Sequence, residues 1–360
     1  MSNEFITDVF ELIRLLGLSD VLGSEVLGGS CYSFLVPRVF AGLMEFGNPF
    51  DPLLLQVLPR VLENEVLSGY SCNPFNENFS GGGLPILRRY CGRALLMLTF
   101  RCGIHCRFCF RRHLLRGNCS QQVSSNISQN DLQKVSLNDL QNDLQNDLQN
   151  DLQICGGNDL FFDSGLDVSV MAALNLIERD ASISEVIFSG GDPLIQSDGQ
   201  IKKVLDYIEK INHVKRIRIH SRFLVVNPAR ITSGLNEIFG GVGKPVYLAL
   251  HVNHPNELSG DFLKRLKILD APVILSQTVL LRGVNDDAAV LLRLFEMLAD
   301  NGIIPYYLHQ LDRVTGAAHF EVNINEGRRI VSILREKLSG YAVPRYVQEI
   351  AGEIAKKIIM

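Results

Sequence analysis

The sequence predicts an α/β fold: a partial barrel of six strand–helix units, (β/α)6, behind a mainly helical N-terminal extension. Three observations predict it. From Ala94 onward, short apolar runs alternate with helical stretches, the pattern of a parallel sheet with crossover helices. The 360 residues are 46% hydrophobic, enough for one large core. Polar, chemically capable residues stand at the exit of every predicted strand, the end where barrels of this class keep their chemistry.

The elements follow in order. Residues 1–93 form the extension, where apolar positions in "FITDVFELIRLLGL" recur at helical spacing and "GNPFDP" and "SGGGLP" punctuate the chain. The core covers 94–325. Its strands are "ALLMLTF", "EVIFSG", "RIRIHS", "PVYLALHV", "PVILSQTVLL" and "IIPYYLHQL". Helical stretches such as "VSVMAALNLIERD", "IKKVLDYIEKI" and "AAVLLRLFEMLAD" lie between them. The strand exits read "SGGDP", "HSR", "HVNHPNE", "LLRGVND" and "HQLDR". Residues 326–360 form a C-terminal segment. One stretch is foreign to the pattern: within 119–158, "NDLQ" occurs five times, four of them in tandem. With few apolar residues to bury, it reads as a low-complexity insertion, either a short amphipathic helix or a solvated excursion, without a catalytic role.

A net charge of −4 argues against direct nucleic-acid binding. No apolar run is long enough to span a membrane, and "MSNEFITDVF" lacks the basic start of a secretory signal, so the expected compartment is the cytoplasm. In a reducing compartment, clustered cysteines bind metal or do chemistry more often than they form disulfides.

Five of the eight cysteines (Cys31, Cys72, Cys91, Cys119 and Cys155) are scattered; the other three crowd into "RCGIHCRFCFRRH" directly after the first barrel strand. Cys102, Cys106 and Cys109 sit at spacings of four and three. A structural zinc wants four ligands, usually two close pairs, and only His105 or His113 offers a fourth here. The other reading is an iron–sulfur cluster with three thiolate ligands and one open iron, free to bind a substrate.

CxxxCxxC after the first strand of such a barrel resembles the radical S-adenosylmethionine enzymes, whose fold is a partial TIM-like barrel. The resemblance implies a [4Fe–4S] cluster on Cys102, Cys106 and Cys109. Its open iron would chelate the amino and carboxylate groups of S-adenosyl-L-methionine, which is cleaved to a 5′-deoxyadenosyl radical. "SGGDP", with Ser189, Gly190, Gly191 and Asp192, resembles the glycine motif that holds the amino group of that cofactor. By itself it would read as a turn.

"RRYCGRALLML", "CRFCFRRH", "SGGDPL", "RIRIHSR", "NPARIT", "HVNHPNE", "QTVLLRGVND", "PYYLHQLDRVTGAAHF" and "SGYAVPRYVQEIAGEIAK" narrow the resemblance to the lysine 2,3-aminomutases, over about Leu84 to Lys356. These are isomerases that also use pyridoxal 5′-phosphate. The resemblance implies that Lys356 holds the aldehyde as a Schiff base, although Lys357 stands beside it and the usual Thr-Pro after the lysine is replaced by "KKII". Arg89, Tyr90 and Arg93 match the segment that anchors its phosphate, a task suited to the arginine fork. Arg111 matches the arginine that binds the substrate carboxylate, and Asp312 and Glu349 match the acidic pair that receives the distal ammonium of L-lysine. The free-lysine enzymes carry aspartate at the second of these positions. Ser221, Arg222 and Gln277, with Asp192, are expected to orient the two cofactors.

"VPRVFAGLMEFGNPFDPLLLQVLP" and "CFRRH" resemble the short branch of that family, which makes (R)-β-lysine for elongation factor P. The chain stops four residues after Lys356, where free-lysine enzymes carry a dimerising tail. The implied partners are L-lysine, an electron donor of the flavodoxin or ferredoxin type, a β-lysine ligase and elongation factor P. The rivals are a free L-lysine 2,3-aminomutase, a radical aminomutase acting on another amino acid, a radical enzyme without pyridoxal phosphate, and a zinc or RNA-binding module built on "CRFCFRRH".

Overall fold

The computed structural model of the chain describes residues 4–22, 25–27, 32–77, 83–114 and 168–359. Cys31, Cys119, Cys155 and the "NDLQ" insertion lie outside the described residues.

Eleven strands are described: β1 (Phe5–Ile6), β2 (Val36–Pro37), β3 (Ile86–Leu87), β4 (Arg93–Met97), β5 (Glu185–Ser189), β6 (Arg216–Ser221), β7 (Val246–His251), β8 (Val273–Val279), β9 (Ile304–His309), β10 (Arg345–Gln348) and β11 (Lys357–Ile358). The last nine form one sheet in strict sequence order. β4 to β10 run parallel, while β3 and β11 pair antiparallel at the two edges. The six strands expected from the sequence are β4 to β9. The sheet crosses both expected boundaries of the core, taking β3 from the extension and β10 and β11 from the C-terminal segment.

Alternation along the strands explains the architecture. On β6 every second residue is buried. Ala94 and Leu96, Val186 and Phe188, Ile217 and Ile219, and Leu248 and Leu250 share one apolar core with the crossover helices. The helix Val168–Arg179 gives that core Val170, Ala173, Leu174 and Ile177, spaced for one helical face. Asp198–Glu209 contributes Ile201, Val204, Leu205 and Ile208 after a Ser197–Gln200 capping box. The residues between these positions, on the opposite face, line a single cavity that takes side chains from all seven parallel strands. The sheet is therefore curved around that cavity and open between β3 and β11.

The extension is less helical than its periodicity predicts. Among the described residues its longest helix is Val9–Leu15, capped by Asp8, and Ser19–Leu22, Arg38–Ala41 and Pro52–Leu55 are single turns. Gly17 and Gly47 take positive φ, and prolines 37 and 52 open new turns, so no helix runs on. Its apolar cluster, including Leu12, Phe40, Leu53 and Leu54, extends to Ile104 in the cysteine loop and to Phe223 and Val226 beyond β6. The extension is thus packed onto the segment that carries the cysteines. No described helix is long and apolar enough to cross a membrane.

Candidate active site

The cysteine loop leaves β4 and is held from three sides. Arg107 N donates to Gln56 O at 2.9 Å and His105 N to Leu35 O at 2.9 Å, both in the extension. The Arg107 side chain is fully buried and makes two bonds to Glu63, of 2.7 and 2.6 Å, while Arg112 adds a third of 2.5 Å. Removing one partner from such a buried network costs about 3–5 kcal/mol. These arginines therefore serve the fold. They are not a basic face for RNA, and that rival loses its main support.

The third hold is the glycine loop after β5. Gly191 N donates to Thr99 O at 3.0 Å and Asp192 N to Arg101 O at 2.9 Å. A Cβ at Gly191 would overlap the Arg101 carbonyl, and Gly190 needs φ of +108° beside Met97. Asp192 is buried and accepts from Ser221 Oγ (2.9 Å), Leu194 N (3.0 Å), Arg222 N (2.7 Å) and Phe223 N (2.8 Å). Burial raises its pKa, and these donors pull it back. The exits of β4, β5 and β6 are thereby tied into one wall.

All three thiols line that wall of the cavity. Burial raises each of them; neighbouring cysteines push Cys102 further and Cys109 up to about 12. Cys106 is pulled back by Arg222, whose Nη1 lies 2.8 Å from its Sγ. Arg222 also donates to Gln56 Oε1 at 2.7 Å and lies 3.4 Å from Glu257 Oε2. Among the described residues no three His, Cys, Asp or Glu side chains are set to hold one metal ion. The three thiols share one wall of the cavity, where they could serve as donors to an iron–sulfur cluster.

The cavity has a volume of about 450 Å³. Every site residue expected from the sequence lines it: Arg89, Tyr90, Arg93, Cys102, Cys106, Cys109, Arg111, Ser189, Gly190, Gly191, Asp192, Ser221, Arg222, Gln277, Asp312, Glu349 and Lys356. The structure also separates the two neighbouring lysines. On the short edge strand β11, Lys357 is exposed and pairs with Gln348, while Lys356 just before it faces the cavity. Lys356 Nζ contacts Glu349, which also receives Tyr90 Oη and lies 3.0 Å from Arg89 Nη1. Burial depresses the Lys356 pKa to about 8, with Asp312 opposing the shift. A lysine with a lowered pKa, on a cavity wall shared with Arg89, Arg93 and Arg218, fits an aldehyde cofactor that carries a phosphate.

The acidic pair divides. Glu349 is engaged by Arg89, Tyr90 and Lys356. Among the described residues the Asp312 carboxylate has no hydrogen-bond or ion-pair partner, and burial pushes its pKa up to about 7 against the pull of Lys356 and Arg111. It is the acid free to meet a cation.

Several cavity residues went unassigned from the sequence. His220, His251 and His309 face inward from β6, β7 and β9. Burial holds all three neutral, His251 at about 3. A histidine at the exit of three predicted strands was the available signal. The β8–β9 pairing skips Tyr306, so Gln277 and Tyr307 stand opposite each other, both on the cavity. Glu77, Arg218 and Arg345 also line it.

No family model matches the chain. Among curated proteins it is 36% identical to the L-lysine 2,3-aminomutase of Escherichia coli over 98% of this chain and 91% of that protein. It is 34% identical to the L-lysine 2,3-aminomutase of Haemophilus influenzae, over 98% and 92%. The protein of the same name from Acetoanaerobium sticklandii is 30% identical, over 89% of this chain and 67% of its own length.

Proposed function

The chain belongs to the lysine 2,3-aminomutase family, and from that premise we propose that it converts L-α-lysine to (R)-β-lysine for attachment to elongation factor P. As a member it is an isomerase that works with a [4Fe–4S] cluster, S-adenosyl-L-methionine and pyridoxal 5′-phosphate. When bound, the first two supply hydrogen-atom abstraction and the third a carrier that stabilises an unpaired electron during amino migration. We read the curved open sheet as the partial barrel of radical S-adenosylmethionine enzymes.

The observation that carries the proposal is a single cavity lined by the three thiols, Lys356, Arg111 and an unpaired acid, Asp312. Each residue has a task. Cys102, Cys106 and Cys109 hold the cluster, and Arg222 donates to one of the thiols. Gly191 lets the glycine loop close onto the cysteine loop, because a side chain there would strike the Arg101 backbone. Lys356 would hold the aldehyde cofactor, and its nitrogen contacts Glu349, which Arg89 and Tyr90 fix in turn. Arg89 and Arg93 bind the cofactor phosphate. Arg111 binds the substrate carboxylate, and Asp312 receives the distal ammonium once ionised. Two opposite charges at the ends of the substrate fix its carbon chain, which places C3 for hydrogen removal. An uncharged side chain would leave Asp312 unsatisfied, so lysine is favoured.

The role in elongation factor P modification rests on the "VPRVFAGLMEFGNPFDPLLLQVLP" and "CFRRH" resemblance to the short branch. An electron donor of the flavodoxin or ferredoxin type would supply the electron that the cluster needs.

The test is an anaerobic assay of the loaded enzyme with labelled L-lysine, dithionite and S-adenosylmethionine, followed by chiral analysis. The proposal expects (R)-β-lysine that a β-lysine ligase then transfers to elongation factor P. The opposite enantiomer, or a product the ligase refuses, would return the chain to the free-lysine reading.

A further inference from the structure

We infer that Glu77 is a positioning residue that presents Arg111 to the substrate carboxylate; this rests on the reading of Arg111 given above. The pair is buried, with both side chains 9% exposed. Arg111 donates Nε to Glu77 Oε2 at 2.9 Å and Nη2 to Oε1 at 2.7 Å. This contact uses the side edge of the guanidinium. Nη1 reaches Ser189 Oγ at 3.3 Å, a long bond. The end edge, formed by Nη1 and Nη2, keeps N–H groups for a second carboxylate. A guanidinium has five donors in a fixed plane, so fixing one edge fixes the direction of the other.

The loop that carries Glu77 is built to hold it. Glu77 N donates to Asn73 Oδ1 at 3.1 Å, and Asn73 Nδ2 lies 3.5 Å from Glu77 O. Asn76 takes φ of +49°, a conformation asparagine tolerates better than most residues. Phe75 meets the ring of Phe110 edge-on at 5.3 Å, and the Arg89 guanidinium lies 4.7 Å above the Phe75 ring. The loop thus touches both the cysteine loop and the expected phosphate-binding segment. Burial opposes ionisation of Glu77, but the charge and hydrogen bonds of Arg111 prevail and its pKa is lowered. Glu77 also offsets the charge of Arg111 while no substrate is present.

The experiment titrates L-lysine and 1,5-diaminopentane, which is lysine without its carboxylate, into the loaded enzyme under anaerobic conditions. Glu77→Gln should weaken lysine binding on the order of tenfold, the scale seen when a residue orienting a ligand-binding group is lost. It should leave diaminopentane binding unchanged and raise KM more than it lowers kcat. Glu77→Asp, which keeps the charge, should recover part of the loss and serves if the glutamine variant fails to fold. Equal weakening of both ligands would reduce Glu77 to a structural role and overturn the inference. Tighter lysine binding in Glu77→Gln would overturn it too, since Glu77 would then compete with substrate. Arg111→Lys separates the layers: if it leaves lysine binding intact, the assignment of Arg111 itself is wrong. If it weakens lysine while Glu77→Gln does not, only the role of Glu77 falls.

Discussion

The two faces of the same seven parallel strands differ in almost every property. One face sends Leu96, Phe188, Ile219 and Leu248 into the helices. The other sends Ser189, Arg218, His220, His251, Gln277 and His309 into the cavity. Because side chains alternate along a strand, neighbouring residues serve opposite purposes. Stability comes from the helix face by apolar burial. The cavity face spends some of it, holding histidines neutral and Asp312 and Lys356 away from their usual pKa values. The lesson is that fold and chemistry are separable by substitution here, residue by residue.

The largest test of that separation is the cysteine wall. Replacing Cys102, Cys106 and Cys109 with alanine should abolish turnover and drop iron from about four per chain to none. Circular dichroism should be unchanged. Loss of folded structure would break the comparison, since the wall would then be part of the scaffold.

The lysines come next. Lys356→Ala should remove the visible absorbance of a borohydride-reducible Schiff base in protein loaded with pyridoxal phosphate, whereas Lys357→Ala should keep it. The reverse result would mean that β11 turns over in the loaded enzyme.

On the helix face, Phe188 is fully buried. Phe188→Ala should cost about 3–5 kcal/mol in denaturant unfolding while leaving activity per folded molecule near its normal value. A fall in activity matching that of cavity-face variants would show that the two faces are coupled.

The smallest effect is a pH dependence. Burial raises the Asp312 pKa to about 7, far above its value in an unfolded chain. Between those values the folded state binds the extra proton, so this group lowers stability as pH rises toward 7. Lys356 acts with the opposite sign: its pKa is depressed to about 8, so stability rises with pH above 8 toward the ordinary lysine range. Lysine affinity should increase as pH rises through about 7, as Asp312 ionises. Asp312→Asn should flatten both the affinity profile and the stability slope below 7.

How much of this was legible in the sequence depends on the distance along the chain over which each feature is decided. Alternation is local, so β4 to β9 and their helices could be placed from the apolar pattern. The spacing of Cys102, Cys106 and Cys109 is also local. The extension misled, because helical spacing between Val9 and Leu18 does not reveal that Gly17 will turn the chain. Glu63, Gln56 and Glu257 carried no signal, since an acid or amide becomes a partner of Arg107 or Arg222 only after residues far apart in the chain meet. Glu77 was hidden for the same reason.

By itself, the sequence determined the six central strands and their helices, the three-cysteine loop and the residue types able to carry the chemistry, because short-range periodicity and spacing survive without a fold. Only the tertiary structure decided which acid is free, which of two adjacent lysines points inward and what aims Arg111. Those are matters of burial and pairing, and burial is a property of the assembled cavity rather than of any segment that lines it.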